Sequence, residues 1–273
     1  MNDNLFSLDK KVIVITGAAG LLGTQHAEAV ARAGGTLVLL DLSEQKVIKL
    51  AASLAKKYNI SAFGFVVDIT NEKEIISNCA VVFEQFGRID GLVNNAANNP
   101  KVEDKIDRNF SRLENFSLDM WNKDLAVGLT GAFLCAKHYG AIIARQGGVI
   151  VNISSDLGLI APDQRLYAIP GLSETLQPVK PVSYSVIKSG LIGLTRYLST
   201  YWCDKGVRCN ALCPGGIEND QDPLFVKNIC SRIPLGRMAK VDEYQGALLF
   251  LLSEASSYMN GSALCVDGGR TVW

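Results

Sequence analysis

Short apolar runs separated by longer stretches of helical periodicity constrain this chain more than any other feature. The runs are residues 12–16, 36–40, 62–67, 91–94, 149–153, 207–212 and 263–266. They show little polar alternation, which is how strands read when both faces of a sheet are covered. Helical patterns fall between them, near 21–33, 44–57, 72–86, 118–145, 184–204 and 241–253. Strict alternation of this kind predicts an α/β fold: an open, doubly wound parallel sheet with right-handed crossovers and helices on both faces. No linker, repeat or low-complexity segment interrupts it, so residues 1–273 read as one domain.

Composition narrows the partners. Apolar residues make up 48% and charged residues 20% of the 273, which is ordinary globular usage and argues against a disordered or fibrous chain. Lys+Arg and Asp+Glu balance at 27 each, so no global charge draws the chain to nucleic acid or to an anionic membrane. No unbroken apolar run reaches spanning length, so no membrane helix is expected. The polar start MNDNLFSLDKK lacks a signal core, and a cytoplasmic location is expected. The 7 cysteines are odd in number and form no C-x-x-C pair. Neither a disulfide framework nor a metal site is expected, and free thiols suit a reducing compartment. His26 and His138 have no partner at metal or triad spacing, so packing or surface roles are expected of them.

Two connections are too long for plain turns. Residues 95–117 and 156–183 both follow C-terminal strand ends, where open α/β sheets bind ligands. The second holds Pro162, Pro170, Pro178 and Pro181, which stiffen it. Both read as ordered substrate loops.

Thr16-Gly17-Ala18-Ala19-Gly20-Leu21-Leu22-Gly23 closes the first strand and opens the first helix. Glycines there let the backbone approach a pyrophosphate that the helix N-terminus stabilises. A tight turn with close helix packing is the plainer reading. Asp41 ends the second strand, 24 residues after Gly17. A carboxylate there can accept from both ribose hydroxyls of an adenosine and would repel the extra phosphate of NADP. No Arg or Lys immediately follows it, so NAD is favoured over NADP. Asp41 could instead serve as a helix N-terminal charge, with Ser43 a competing cap. Asp68 and Ile69 end the third strand and could meet the adenine, or Asp68 could simply cap the next helix.

Tyr184 and Lys188 stand four apart, on one face of a helix. A nearby ammonium lowers a phenol's pKa, which makes Tyr184 a candidate acid/base for carbonyl–alcohol exchange.

Taken in order, Thr16 through Gly23, Asn94-Asn95-Ala96-Ala97, Ser154-Ser155, Tyr184-x-x-x-Lys188, Pro214-Gly215 and Asp267-Gly268-Gly269 resemble the short-chain dehydrogenase/reductase family along nearly the whole chain. The resemblance implies a Rossmann-type fold and hydride transfer between NAD(P) and an alcohol or carbonyl. It implies that Tyr184 is the acid/base and that Lys188 holds the nicotinamide ribose and tunes Tyr184. Ser155, read from S-x-x-G, would polarise the carbonyl, while Ser154 makes a strand-end hydrogen bond. It places Gly17, Gly20, Leu22, Gly23, Asn95, Ala96, Pro214, Gly215 and Ile217 against the cofactor. Asp267-Gly268-Gly269 reads as architectural. The stretches Gln177-Pro178-Val179-Lys180-Pro181-Val182, Asn210 through Gly216 with Ile217-Glu218-Asn219, and Gly269-Arg270-Thr271-Val272-Trp273 are similar to a subgroup tied to flagellin modification and bacterial sugar biosynthesis, implying a sugar or sugar-phosphate substrate.

This chain departs from the family pattern in four places. Leu21 stands where the commonest subgroup has its second glycine. Gly128 aligns with the asparagine that anchors a relay water, and glycine there tolerates a helix kink. The Ser155–Tyr184 spacing of 29 is roughly twice the usual one, the excess lying in the Pro-rich loop. Asn219 aligns near the threonine that meets the nicotinamide carboxamide.

Loop charge is mixed. Residues 98–119 hold Lys101, Lys105, Arg108 and Arg112 against Glu103, Asp104, Asp107, Glu114 and Asp119. Arg165 and Lys180 face Asp156, Asp163 and Glu174 in the second. A polar, hydrogen-bonding substrate suits this better than a steroid or acyl chain. Arg165 and Lys180, in the insertion nearest Tyr184, are the candidate substrate clamps. The expected activity is that of an NAD-dependent oxidoreductase. An epimerase or dehydratase recycling retained NAD, and a non-catalytic dinucleotide-binding subunit, are the alternatives. The long helices near 118–145 and 184–204 predict a homo-oligomer, dimer or tetramer, through helix pairing.

Overall fold

The computed structural model describes residues 5–98 and 108–273. Seven parallel strands form one sheet: β1 Val12–Thr16, β2 Thr36–Asp41, β3 Ala62–Val66, β4 Gly91–Asn94, β5 Gly148–Ile153, β6 Val207–Pro214 and β7 Ala263–Val266. Their order is β3-β2-β1-β4-β5-β6-β7. The chain moves outward from β1 to β3, then returns to β4 beside β1 and moves outward the other way. The reversal between β1 and β4 opens a crevice at the strand C-termini, the place where such sheets take nucleotides.

The strands are apolar on both faces because each face is covered. Ile13 and Ile15 of β1 pack with Ala27, Val30, Leu248 and Leu251, from helices α1 (Leu21–Arg32) and α8 (Gln245–Leu252). Val12 and Val14 point the other way, toward Val82, Cys135 and Tyr139 from α3 (Glu72–Phe86) and α5 (Gly131–Ile143). The remaining helices are α2 (Glu44–Tyr58), α4 (Leu118–Leu125), α6 (Val182–Tyr201) and α7 (Pro223–Cys230). The two edge strands depart from full burial: β3 is half-buried with Val66 exposed, and β7 is half-buried throughout.

Two features differ from the sequence expectation. Helix α7 lies where no helix was predicted. It is short, and its signal is local: Asp222 caps Leu224 and Phe225 through Oδ1, and Pro223 takes the first turn, where a missing N–H costs nothing. The long helix near 118–145 is interrupted: Ala126–Thr130 forms a π turn between α4 and α5. Together these elements make a helical stretch, Leu118–Ile143, long and apolar enough by length and composition to cross a membrane. No such segment was expected. Half of its most apolar window is buried, with Leu134, Tyr139 and Ile143 packed in the core beside the sheet.

The Pro-rich connection 156–183 is ordered. It makes short 3-10 turns at Asp156–Gly158, Gln164–Tyr167 and Glu174–Leu176. The Gln177 side chain accepts from Ile169 N–H and donates to the carbonyls of Ile169 and Leu172. Leu166 packs with Ile229, Ile233 and Met238, and the Tyr167 and Phe225 rings lie 5.3 Å apart. The loop and α7 therefore form one wall over the sheet. In the other long connection, 95–117, residues 99–107 lie outside those described, and with them Lys101, Lys105, Glu103, Asp104 and Asp107.

Candidate active site

A cleft of about 1030 Å³ runs along the C-terminal ends of the strands. That is at the upper end of the ~300–1,000 Å³ usual for a single small ligand. Of the catalytic, cofactor-binding and clamp candidates named from the sequence, all but Arg165 line it.

The β1–α1 turn forms one end. Gly17 holds φ +61, and a Cβ there would come within 2.8 Å of the Ala96 Cα. A side chain on Gly23 would run into the Gly17 carbonyl. Glycine is therefore required at both positions by conformation or close approach. Helix α1 has no side-chain cap, so its first amides are left toward the cleft. The side chain of Asn95 donates to the carbonyls of Thr16 and Gly17, each at 3.0 Å, and ties the end of β4 to the turn. Thr16 Oγ1 accepts from the backbone N–H of Asn95 and Ala96. Asn94 instead points inward and donates to Asn152.

Asp41 accepts from Ala19 N–H at 2.9 Å and from Ser43 N–H at 3.0 Å. The carboxylate thus braces the glycine turn as well as facing the cleft. Asp68 Oδ1 accepts from both the N–H and the hydroxyl of Thr70, and the alternative of capping the next helix is not met, since Asn71 caps it by accepting from Lys73 N–H. Ile69 packs against Gly131 and leaves its flank on the cleft. At the far side, Gly215 approaches Asp267 so closely that a Cβ would meet its Cα at 2.8 Å. Asp267 accepts from Gly269 and Thr271 N–H, which suits an architectural part. This cradle, with glycines where backbone must be bare and a carboxylate at the end of β2, fits a dinucleotide.

Ser155, Tyr184 and Lys188 converge at the centre. Ser154 donates to the Lys188 carbonyl at 2.7 Å, the structural hydrogen bond expected of it. Gly158 lets the turn after β5 touch α6, since a Cβ would lie 2.8 Å from the Lys188 carbonyl oxygen. That contact brings Ser155 beside Tyr184 despite their long separation in sequence. The expectation that Lys188 lowers the Tyr184 pKa is not met. Burial dominates and pushes the phenol up, with Ser155 opposing. The Lys188 ammonium donates to the Ile153 carbonyl at 2.9 Å and stands 5.6 Å from the Tyr184 ring centroid. Burial, followed by the Lys180 charge, lowers Lys188 to about 8.

The two candidate clamps separate. Lys180 lies in the cleft with Nζ 3.9 Å from the Tyr184 ring centroid. Arg165 does not reach it: Asp163 caps the same 3-10 turn and captures the guanidinium through Nε and Nη2 at 2.7 and 2.8 Å, out in solvent. Two residues that sequence reasoning missed take its place. Asp156 accepts from Ser155 Oγ and from Leu157 N–H through Oδ1, both at 2.8 Å. Its Oδ2 accepts from Arg270 Nη1 at 2.7 Å, and the two side chains are 3% and 7% exposed. The available signal was the acid directly after Ser155; nothing local pairs it with a residue 114 positions away.

Gly128 lies buried in the π turn. A Cβ there would stand 2.7 Å from Ile187 Cγ2, so Ile187 occupies the space that a larger residue would need. π turns are frequent at functional sites, and here the turn follows close packing of α6, where Gly190 abuts Leu129. Of the histidines, His26 is buried and held down to about 4 by burial, and His138 meets Glu72 at 2.7 Å.

Comparison with known proteins agrees with this geometry. Residues 11–168 match a family model described as short chain dehydrogenase, and residues 172–271 match one described as enoyl-(acyl carrier protein) reductase. An uncharacterized short-chain type dehydrogenase/reductase of Sinorhizobium fredii is 33% identical over 266 residues; the match takes in 95% of this chain but 43% of that longer relative. A D-threitol dehydrogenase of Mycolicibacterium smegmatis is 32% identical over 273 residues, covering 98% of this chain and 95% of the relative. A gluconate 5-dehydrogenase from Burkholderia cenocepacia, solved in complex with NADP and tartrate, superposes with TM-score 0.85 at 30% identity over 98% of each chain.

Proposed function

The chain belongs to the short-chain dehydrogenase/reductase family, oxidoreductases that use a nicotinamide cofactor, and from that premise we propose that it exchanges a hydride between NAD and a hydroxyl or carbonyl carbon of a polar, sugar-like molecule. The observation that carries this reading is the meeting of Ser155, Tyr184 and Lys188 in the same cleft as the glycine cradle. It favours an enzyme over a binding subunit.

When bound, the cofactor supplies or accepts the hydride. Tyr184 gives a proton to the substrate oxygen in reduction and takes it in oxidation. Burial keeps the phenol protonated, the form that reduction needs. Ser155 Oγ turns from Asp156 to the substrate oxygen and stabilises the charge that develops there. Asp156 tolerates that turn because Leu157 N–H and Arg270 remain its partners. Lys188 holds the cofactor ribose. With Gly128 in the π turn and Ile187 of α6 packed against it, no side chain at position 128 serves a relay.

Asp41 supports NAD over NADP, since it faces the cleft and Leu42-Ser43 follow with no cation to receive an added phosphate. D-threitol and gluconate dehydrogenases among the relatives support a polyhydroxy substrate. A sugar or sugar phosphate of the kind handled in flagellin modification and bacterial sugar metabolism belongs to the same reading. So does a cytoplasmic, single-domain homo-oligomer, with Phe133, Tyr197 and Tyr201 left exposed on α5 and α6 for a second copy.

The test follows NADH absorbance over a panel of polyols, aldonates and sugar phosphates. Tyr184→Phe is expected to lower kcat by ~10²–10⁴-fold while the protein stays folded. Equal turnover in the variant would overturn the assignment of Tyr184, and silence across the panel in the wild type would overturn the substrate class.

A further inference from the structure

The last turn of the chain reaches the centre of the cleft. Asp267 accepts from Gly269 N–H and Thr271 N–H at 2.9 and 2.7 Å, and the Trp273 indole donates to the Arg232 carbonyl at 3.1 Å. Arg270 lies between these ties, in the 3-10 turn Arg270–Val272, with its side chain buried. Its Nη1 donates to Asp156 Oδ2 at 2.7 Å, and Asp156 Oδ1 accepts from Ser155 Oγ at 2.8 Å. Arg270, Asp156 and Ser155 thus form one connected line from the C-terminal turn to the hydroxyl beside Tyr184.

Stability alone does not account for this line. A buried ion pair returns little net stability, because removing both charges from water offsets most of their attraction. Nor does the turn after β5 need a carboxylate to satisfy its amide: Leu157 N–H reaches Ser155 Oγ at 3.2 Å as well as Asp156 Oδ1 at 2.8 Å. What the carboxylate adds is an acceptor for the Ser155 proton. A hydroxyl rotates to suit its surroundings, and an acceptor on a fixed carboxylate leaves it one direction. The Asp156 carboxylate is fixed because both of its oxygens are tied, Oδ1 to Leu157 N–H and Oδ2 to Arg270. Beyond burial and the Ser155 bond, Tyr184 feels Asp156 and Arg270 with opposite signs. The pair therefore orients Ser155 while its two charges oppose each other at the phenol.

We propose that Asp156 and Arg270 are positioning residues: Arg270 fixes the rotation of the Asp156 carboxylate, and Asp156 holds the Ser155 hydroxyl where it turns onto the substrate oxygen. The proposal rests on the hydride-transfer reading of this cleft and extends its machinery to the last turn of the chain. Both residues act through Ser155 and touch no reacting atom. A donor preset in this way spares the reaction the reorganisation that a free hydroxyl would need. Asp267-Gly268-Gly269 gains a purpose as well, since that turn carries Arg270 to Asp156.

The double substitution Asp156→Leu with Arg270→Met tests it, since apolar side chains of similar volume replace a buried pair at little or no cost in stability. Thermal melting is expected to hold. With D-threitol or D-gluconate and NAD, kcat and kcat/KM are expected to fall together by ~10-fold or more, as when an interaction made in the transition state is lost. Arg270→Lys offers an ammonium to Asp156 and is expected to stay within ~3-fold of the wild type. In a Ser155→Ala background the double substitution should change kcat less than ~2-fold, because Ser155 is no longer there to position. Equal losses in both backgrounds, or full activity in the double variant, overturn the proposal. If that variant does not fold, Arg270→Gln carries the same cycle. Crystal structures give a readout that needs no turnover. Ser155 is expected to hold one rotamer in the wild type and several in the double variant, and one unchanged rotamer in both overturns the positioning role. No turnover of either probe by the wild type, with Ser155 released in the variant, would strike the hydride-transfer reading and uphold the positioning of Ser155.

Discussion

The two ends of the cleft are built by different means. The cofactor end is backbone: Gly17, Gly20 and Gly23 lie within one turn, and its polar ties run from Asn95 and Thr16 to neighbouring main-chain groups. The substrate end is side chain. Ser155, Asp156, Lys180, Tyr184 and Arg270 come from four separate elements and meet only in the folded protein. A backbone cradle resists change in charge but not in shape. A side-chain cluster resists change in shape but not in charge.

The largest expected effect follows from that contrast. Asp156→Ala leaves the Arg270 guanidinium buried without its partner, which costs about 3–5 kcal/mol when one member of a buried pair is removed. Urea unfolding at neutral pH measures it. A loss below ~1 kcal/mol would mean that solvent reaches Arg270 freely, and the contrast between the two ends would weaken. NADH affinity should hold, because Asp156 contributes nothing to the glycine turn. Next in size is Asp41→Ser. It removes the carboxylate at the end of β2 that faces the cleft, with the brace to Ala19 N–H. NADH affinity should fall ~10–100-fold relative to NADPH, the worth of hydrogen bonds to a charged group. Fluorescence titration with both nucleotides checks this, and an unchanged ratio would sink the NAD preference.

The same division explains what could be read without coordinates. Every strand was legible, since apolar runs between helical periods can be covered on both faces only in such a sheet. The glycine turn, Asp41 and the Tyr184–Lys188 pair were legible because their partners are near in sequence or on one helix face. Helix α7 was not, because eight residues hold too little periodicity to stand out from the loop around them. Arg165 was misplaced for a physical reason: position in a loop says nothing about which acid captures a guanidinium first, and Asp163 is two residues away. The Arg270–Asp156 pair joins the C-terminal turn to the end of β5, a closure that no local pattern encodes.

Gly128 sits where shape decides. Restoring asparagine by Gly128→Asn presses its Cβ on Ile187 and is expected to cost about 1–3 kcal/mol as overpacking. Ile187→Ala opens a cavity of its own, yet the double variant should be less destabilised than the two single effects combined. Strict additivity in urea unfolding would show that the two side chains do not compete for this space.

The smallest effect belongs to Lys180, the candidate clamp that lies in the cleft. Burial lowers Lys180 to about 8, against the pull of Asp156 and with the push of Arg270. Among the described residues, Tyr184 and Lys188 are its other titratable neighbours. A depressed lysine is charged below that pH and neutral above it, so its share of anion binding is present at neutral pH and lost as pH rises through about 8. Preference for a sugar phosphate over a polyol should therefore fall ~5-fold between neutral pH and pH near 9.5. Taking the ratio of the two probes cancels the titration of Lys188 and Tyr184, through which both must react. In Lys180→Gln the preference should be lower and flat with pH. A slope that survives in that variant would move the titrating group elsewhere in the cleft.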